Sequence, residues 1–175
     1  DTTAYILAEE VELVFSNHLF NPQRMKLGWE VFGRRNAPPI HAQIVARRDM
    51  SAPINIKDLD GTEMGFAGNE AFIGYKVPMA YLLTESVKVK TLFAGNQNAA
   101  FAQLFAGRVR AVGSNSMLVE GYAKREAKQF KVLWTSEGYY DLALMASKKV
   151  SPKDLKAISD AFFSMHLDPV GKGIL

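Results

Sequence analysis

Six amides stand where a chain could grip a small polar molecule. Asn17, Asn69, Asn96, Gln97, Asn98 and Asn115 all fall at expected strand ends or helix starts. A carboxamide both donates and accepts hydrogen bonds, so such groups hold oxyanions and neutral polar ligands alike. Helix starts add unpaired N–H groups and a partial positive charge, which suit an anion. Asn is also a leading N-cap, so the same residues serve the backbone equally well. Ser114 precedes Asn115 at one strand end, and His18 follows Asn17 at another. Glu70 lies beside Asn69 in a first turn, where a carboxylate satisfies the same dipole a ligand would use. If Glu70 lines the site, a ligand carrying an amine becomes attractive. Phe20, Phe72 and Tyr75 either wall such a site or fill the core. Tyr139 and Tyr140 either pack a hinge or touch the ligand.

Covalent and metal chemistry find little support. The chain has no Cys, which removes disulfides, thiol catalysis and Cys-based metal sites. His18, His41 and His166 have no metal-binding spacing relative to one another. No Ser sits in a nucleophile elbow, and the closing GKGIL lacks the Ser or Thr of a phosphate loop. Asp58 and Asp60 form a turn, not a paired acid–base site. The reading therefore has no catalytic residue, no metal and no cofactor. With 48% apolar and 22% charged residues in 175, the composition is that of a globular protein of one full or two small domains. No apolar run approaches the length of a membrane span. The net charge is +3, and basic residues are scattered apart from Arg34-Arg35, Arg47-Arg48 and Lys148-Lys149. A nucleic-acid interface wants a clustered stripe with exposed aromatics, so nucleic acid is not an expected partner.

The elements that must position these residues follow from periodicity and punctuation. A short helix is expected over 4–10, then a central, parallel strand over 11–16. Residues 29–35 and 42–48 read as strands, separated by Pro38-Pro39, which cannot sit in a central strand. A connector at 51–58 leads to a strand at 62–67. A single helical turn at 69–76 precedes a main helix with Pro78 at its start. A strand at 87–93, a helix capped by Asn96 and stopped by Gly107, and a strand at 110–113 come next. Asn115 caps a helix running to about 128, followed by a strand at 130–134. A second connector at 137–141 precedes a strand at 142–147. Ser151-Pro152 then opens a helix with an apolar stripe of Leu155, Ile158, Phe162 and Met165. Mostly β-α-β order with short loops predicts α/β sheets. One pattern occurs twice: Ala4, Ala8, Val11, Val14, Ser16 and Asn17 recur as Ala102, Ala106, Val109, Val112, Ser114 and Asn115. Each copy ends in Ser-Asn at a strand's carboxyl end, where α/β sheets bind ligands. The two connectors bracket a middle block, giving lobe 1 as 1–54 plus 138–175, lobe 2 as 55–137, and two crossings that act as a hinge.

Four phrases, taken in order and spacing, resemble a known family. They are Asp58-Leu59-x-Gly61 before a strand, Gly74-Tyr75-x-x-Pro78 at a helix start, Phe93-x-Gly95 before a helix ending Gly107-x-Val109, and the tail DPVGKGIL. Together they look like the phosphate/phosphite/phosphonate-binding proteins of bacterial ABC importers. The resemblance implies a two-lobed type II periplasmic-binding-protein fold that captures a small, phosphonate-type ligand in an interlobe cleft. It also implies delivery to a membrane permease and a periplasmic or extracellular location, with lipid or membrane association allowed. The family places hydroxyl residues where this chain has Glu70-Ala71-Phe72, often His-Asp where it has Gln97-Asn98, and often an acid where it has Asn115. The expected ligand-binding set is Asn17, His18, Asn69, Glu70, Ala71, Phe72, Tyr75, Asn96, Gln97, Asn98, Ser114, Asn115 and Tyr140. The family's chains open with a strand, a helix and a further strand before the segment where this chain begins. Lobe 1 is therefore expected to lack its N-terminal part, or to be completed by a second chain. Other readings are a sensing domain of the same fold, a binder of another small polar or amine-bearing ligand, and an interaction module with no ligand.

Overall fold

The computed structural model describes residues 10–16, 26–49, 54–140 and 142–174. Asn17, His18 and Phe20, with the helix expected at 4–10, lie outside the described residues. The backbone divides into two compact units: Ala37–Tyr140, and Asp1–Asn36 together with Asp141–Leu175. The sequence boundaries at 54/55 and 137/138 differ from this division. Backbone pairing is the reason: β3 (Ile40–Arg47) bonds to β6 (Ala111–Asn115) and to β7 (Phe130–Tyr139), so it sits inside the middle unit. The connector expected at 137–141 is mostly strand, because Gly138 and Tyr139 pair with His41 and Ile40.

The 37–140 unit is built on a five-stranded sheet of order β5-β4-β6-β3-β7, with β4 at Glu63–Phe66 and β5 at Lys90–Phe93. β4 is parallel to both β5 and β6, whereas β3 runs antiparallel to β6 and β7. Alternation sorts side chains to two faces. Ile44, Ala46, Met64, Phe66 and Ala111 pack with Leu82 of α1 (Val77–Thr84) on one face. Val45 and Val112 pack with Phe101 and Leu104 of α2 (Gln97–Phe105) and Val119 of α3 (Ser116–Glu126) on the other. Each fully buried Leu or Phe stabilises by roughly 1.5–3 kcal/mol relative to exposure. The helix signals act locally as read: Pro78 lies in the first turn of α1, and the Asn96 and Asn115 side chains accept from the N–H groups of Ala99 and Leu118. Gly107, at φ +75, turns the chain out of α2 into β6.

The other unit holds a three-stranded sheet of order β1-β8-β2, with β1 at Leu13–Ser16, β2 at Glu30–Arg34 and β8 at Ala143–Ala146. Both pairings are antiparallel. This corrects the expectation of a central, parallel strand at 11–16. Among the described residues β1 is an edge strand bonded to β8, and Leu13 and Phe15 are exposed where a central strand would bury them. The small core joins Trp29 and Met145 to Val11, Val14, Leu27 and Ala143. α4 (Pro152–Ser164) starts at a Ser151 hydroxyl that accepts from the Asp154 N–H and donates to its carboxylate. Its stripe is only half realised: Leu155, Ile158 and Met165 are half-buried, and Phe162 is exposed despite touching Phe32. A 3₁₀ turn at Met165–Leu167 and α5 (Pro169–Ile174) follow.

Candidate functional site

Because β5, β4 and β6 are parallel, their carboxyl ends share one edge of the 37–140 sheet, and the helical segment after each begins there. β5 lies on one side of β4 and β6 on the other, so the chain reverses direction across the sheet at β4. In open α/β sheets that reversal opens a crevice at the carboxyl edge. The sequence folds this way locally for separate reasons. After β4, a π-helical turn at Phe72–Lys76 leads into α1. Ala71, extended at φ −66 and ψ 109, holds its cap position, and its side chain offers no oxygen to the first N–H groups. Asn69 is therefore not the cap. The Ala71 N–H instead donates to the Gly68 carbonyl at 3.4 Å, closing a tight turn before the helical one starts. The α2 and α3 starts each carry an Asn oxygen on the third amide, at 2.9 and 2.8 Å.

Glycines let these starts converge. A Cβ on Gly113 would lie 2.5 Å from the Phe66 ring and 2.6 Å from the Gly74 carbonyl oxygen. The turn at 72–76 can thus sit on β6 only because position 113 has no side chain. A Cβ on Gly74 would meet the Gln97 Oε1 at 3.6 Å and the Ser114 Cα at 3.8 Å. Gln97 Nε2 donates to the Gly113 carbonyl at 3.3 Å. Ser114 is buried, with its hydroxyl donating to the Asn115 carbonyl at 3.3 Å. Gln97, Ser114, Asn115 and the 71–76 turn therefore form one polar, amide-rich patch.

The other expected residues are placed as follows. Glu70 is half-buried, and its carboxylate lies 3.6 Å from Lys76 Nζ, so a cation at the far end of the 72–76 turn answers its charge. Asn98 is exposed and accepts from the Arg125 guanidinium at 2.9 Å, which ties it to α3. Tyr75 is edge-on to Phe66 and Phe93, and Phe72 is edge-on to Tyr139. Tyr140 is exposed. Phe72, Lys76, Tyr81, Trp134 and Tyr139 line a groove of about 520 Å³, with Tyr81 stacked on Trp134 at 4.2 Å. The Tyr139 phenol donates to Glu137 at 3.4 Å. Burial, reinforced by the Glu137 charge, raises its pKa above the ordinary tyrosine value.

Three further polar residues, His41, Ser116 and Ser136, lie at this edge with no local sequence signal for the contacts they make. The His41 N–H donates to the Ser116 hydroxyl at 3.4 Å, its Nδ1 lies 2.9 Å from the Ser136 carbonyl, and the Ala42 N–H donates to the Ser136 hydroxyl at 2.8 Å. The partners are 75 to 95 residues apart, so no spacing signal marks them. Among the described residues no cluster of His, Asp and Glu could hold a metal ion. The arrangement presents backbone amides, carboxamides and hydroxyls, groups that suit binding and orienting a polar molecule.

A family model described as ABC transporter, phosphonate, periplasmic substrate-binding protein matches residues 2–175. Comparison with curated proteins gives no match. Among solved structures, PhnD1 from Prochlorococcus marinus in complex with methylphosphonate is similar at 18% identity and a TM-score of 0.80, over 99% of this chain and 72% of that one. A Xanthomonas citri protein bound to ATP is 16% identical with a TM-score of 0.78, over 96% and 69%. A binding-protein component of a Pseudomonas aeruginosa ABC phosphonate transporter is 16% identical with a TM-score of 0.78, over 99% and 63%. The shared architecture is the α/β fold of type II periplasmic binding proteins.

Proposed function

Because this chain belongs to the periplasmic substrate-binding proteins of phosphonate ABC transporters, we propose that it captures a small phosphonate-type oxyanion at the carboxyl edge of the 37–140 sheet. One observation supports this placement above others. Of the three helical starts at that edge, two are closed by their own Asn side chains, whereas the turn at Phe72–Lys76 has no side-chain cap. Unpaired first-turn N–H groups with partial positive charge suit a phosphonate oxygen. The Gln97 carboxamide and Ser114 lie beside that turn, and Phe72 and Tyr139 supply an apolar wall for a carbon substituent. The role is binding without chemistry. The ligand would then be passed to a membrane permease, and closure of two lobes around it would supply the signal for delivery. Such closure requires contacts made only in the closed state. Completion of the first lobe by a second chain belongs to the same reading.

The test separates the backbone amide from the side chain. Proline is tolerated at the first helical position and removes only the N–H. Phe72→Ala and Phe72→Pro are compared by calorimetry with methylphosphonate and inorganic phosphate as probes. The expected result is saturable binding that Phe72→Pro weakens roughly tenfold beyond Phe72→Ala, the value of one charge-assisted hydrogen bond. Equal affinities in the two variants, or no binding of either probe by the unsubstituted chain, would overturn the placement.

A further inference from the structure

The opposite edge of the same sheet carries a feature that capture at the carboxyl edge does not use. Strand direction brings together residues far apart in sequence. β3 ends at Arg47, whose partner across β7 is Phe130, and the Arg48 N–H donates to the Gln129 carbonyl. Glu63 opens β4 opposite Lys90 of β5, and the Arg110 N–H donates to the Glu63 carbonyl at 2.8 Å. The amino edge thus gathers Arg47, Arg48, Lys90, Arg108, Arg110 and Lys128 against Asp49 and Glu63. Lys88 and Asp60, farther along, cancel. Six cations against two carboxylates leave four positive charges, more than the net +3 of the whole chain.

A cavity of about 380 Å³ opens here, lined by Arg47, Glu63, Leu104, Gly107, Arg108 and Arg110. Its arginines are not equivalent. Arg47 is consumed internally: it donates to both Asp49 oxygens at 2.9 Å and to the Phe105 carbonyl at 3.4 Å. That hydrogen bonding holds Asp49 below the usual carboxylate range. Arg108 and Arg110 have no carboxylate within ion-pair distance among the described residues. They flank Val109, which is buried against Gly65 and Val112, so the backbone that carries them is anchored. The Arg108 N–H is itself held by the Gln103 carbonyl at 3.0 Å. Two guanidinium groups on a fixed segment, facing one small concavity, suit paired oxyanions. The planar fork of each matches a carboxylate or phosphoryl group bidentately.

We infer that the amino edge of the 37–140 sheet is a second binding site, which takes a small polyanion with two linked oxyanion groups between Arg108 and Arg110. The concavity favours a small molecule over an extended surface: its volume falls in the range of small-ligand pockets. The surrounding excess of positive charge raises the local anion concentration and makes binding salt-dependent. Pyrophosphate is the probe, titrated calorimetrically into the full chain at low and at physiological ionic strength. Binding is expected at low salt, weaker at physiological salt, and reduced roughly tenfold or more in Arg108→Gln/Arg110→Gln. Arg108→Lys/Arg110→Lys keeps the charge without the fork and is expected to fall between the two. Both pairs change residues at the surface, and an unchanged melting temperature verifies that the fold is intact. Pyrophosphate affinity unaffected by the glutamine pair would overturn the site. So would an acidic peptide or anionic phospholipid vesicles binding through these arginines while pyrophosphate does not.

Discussion

Residues 13–16 and 111–114 fall at equivalent places in the repeated sequence pattern and meet opposite fates. Val14 and Ser16 echo Val112 and Ser114, yet β6 is an interior strand with β4 parallel on one side and β3 antiparallel on the other. β1 is an antiparallel edge strand among the described residues, with Val14 only half-buried where its counterpart Val112 is 0% exposed. The position between the echoed residues carries the difference. In β6 it is Gly113, whose missing side chain admits the Gly74 carbonyl and the Phe66 ring. In β1 it is Phe15, too large for any such approach. A pattern of apolar and polar residues specifies that a segment is extended. What may lie against it is decided by single positions such as this one.

The comparison extends to the two units, and core truncation should break it most visibly. Phe101 is 1% exposed and touches Tyr122 and Phe130 at ring separations of 4.8 and 5.1 Å. Phe101→Ala should cost about 3–5 kcal/mol, the usual penalty for emptying a buried aromatic site. Phe163 on α4 is 54% exposed, and Phe163→Ala should stay below about 1 kcal/mol. Chemical denaturation of the two variants measures both. Similar large losses would show that α4 is covered in solution.

A pair of glycine substitutions probes the same contrast at smaller amplitude. Gly113→Ala places a methyl group against backbone oxygen, which cannot swing aside, and should cost about 1–3 kcal/mol with loss of ligand binding. Gly33→Ala in β2 meets only the Phe163 ring edge at 3.2 Å and a Leu144 methyl at 3.4 Å, groups that can shift. Its cost should stay within about 0.5 kcal/mol, since alanine also relieves the entropy of a strand glycine. Equal melting shifts would mean that the turn at 72–76 does not seat on β6 as described.

What was legible in the sequence is what is local. Asn96, Asn115 and Ser151 act through amides three residues ahead, so the residue and its partner lie in the same window. Pro78 and Gly107 punctuate for equally local reasons. Strand direction is not local. Parallel and antiparallel neighbours want the same apolar run, so the apolar residues of 11–16 fit a central strand as well as the antiparallel edge strand that β1 is among the described residues. Residues 137–139 look like a turn, with Gly138 beside two tyrosines, but their pairing with 40–41 keeps them in β7. The contacts of His41, Ser116 and Ser136 leave no mark in the sequence, because each answers a backbone group brought near by the sheet alone. The Glu70–Lys76 pair spans six residues across the start of the turn at 72–76, a separation no helical spacing marks, so the sequence shows the charge of Glu70 without its partner.

Caps sharpen the comparison from the other side, because a local interaction should cost the same in either unit. Asn96→Ala, Asn115→Ala and Ser151→Ala should each lower stability by about 0.5–2 kcal/mol, read as melting shifts. Asn96→Asp keeps a capping oxygen and should restore most of that loss. It also adds a negative charge at the carboxyl edge of the 37–140 sheet. Oxyanion affinity should then fall roughly tenfold while stability holds, because like charges across a binding contact are costly. An unchanged affinity for methylphosphonate in Asn96→Asp would remove the α2 start from the site.

The smallest effect addresses what distinguishes this edge from an ordinary sheet end, namely the charge of Glu70. Its carboxylate and Lys76 Nζ are 3.6 Å apart, with side chains about 45% and 43% exposed. Exposed ion pairs of this kind stabilise by about 0–1 kcal/mol, so Glu70→Gln should barely move the melting temperature. Its effect on binding depends on where the carboxylate points when a ligand is present. If it stays on Lys76, its removal frees that cation, and affinity for methylphosphonate should rise about two- to fivefold at low salt and less at high salt. If instead it turns to receive an ammonium group, Glu70→Gln should selectively weaken 2-aminoethylphosphonate and leave methylphosphonate unweakened. Calorimetry with the two ligands on one variant separates these outcomes. Equal affinity for both ligands, unchanged by the substitution at either salt concentration, would place Glu70 outside the site and leave the uncapped turn at 72–76 to act without it.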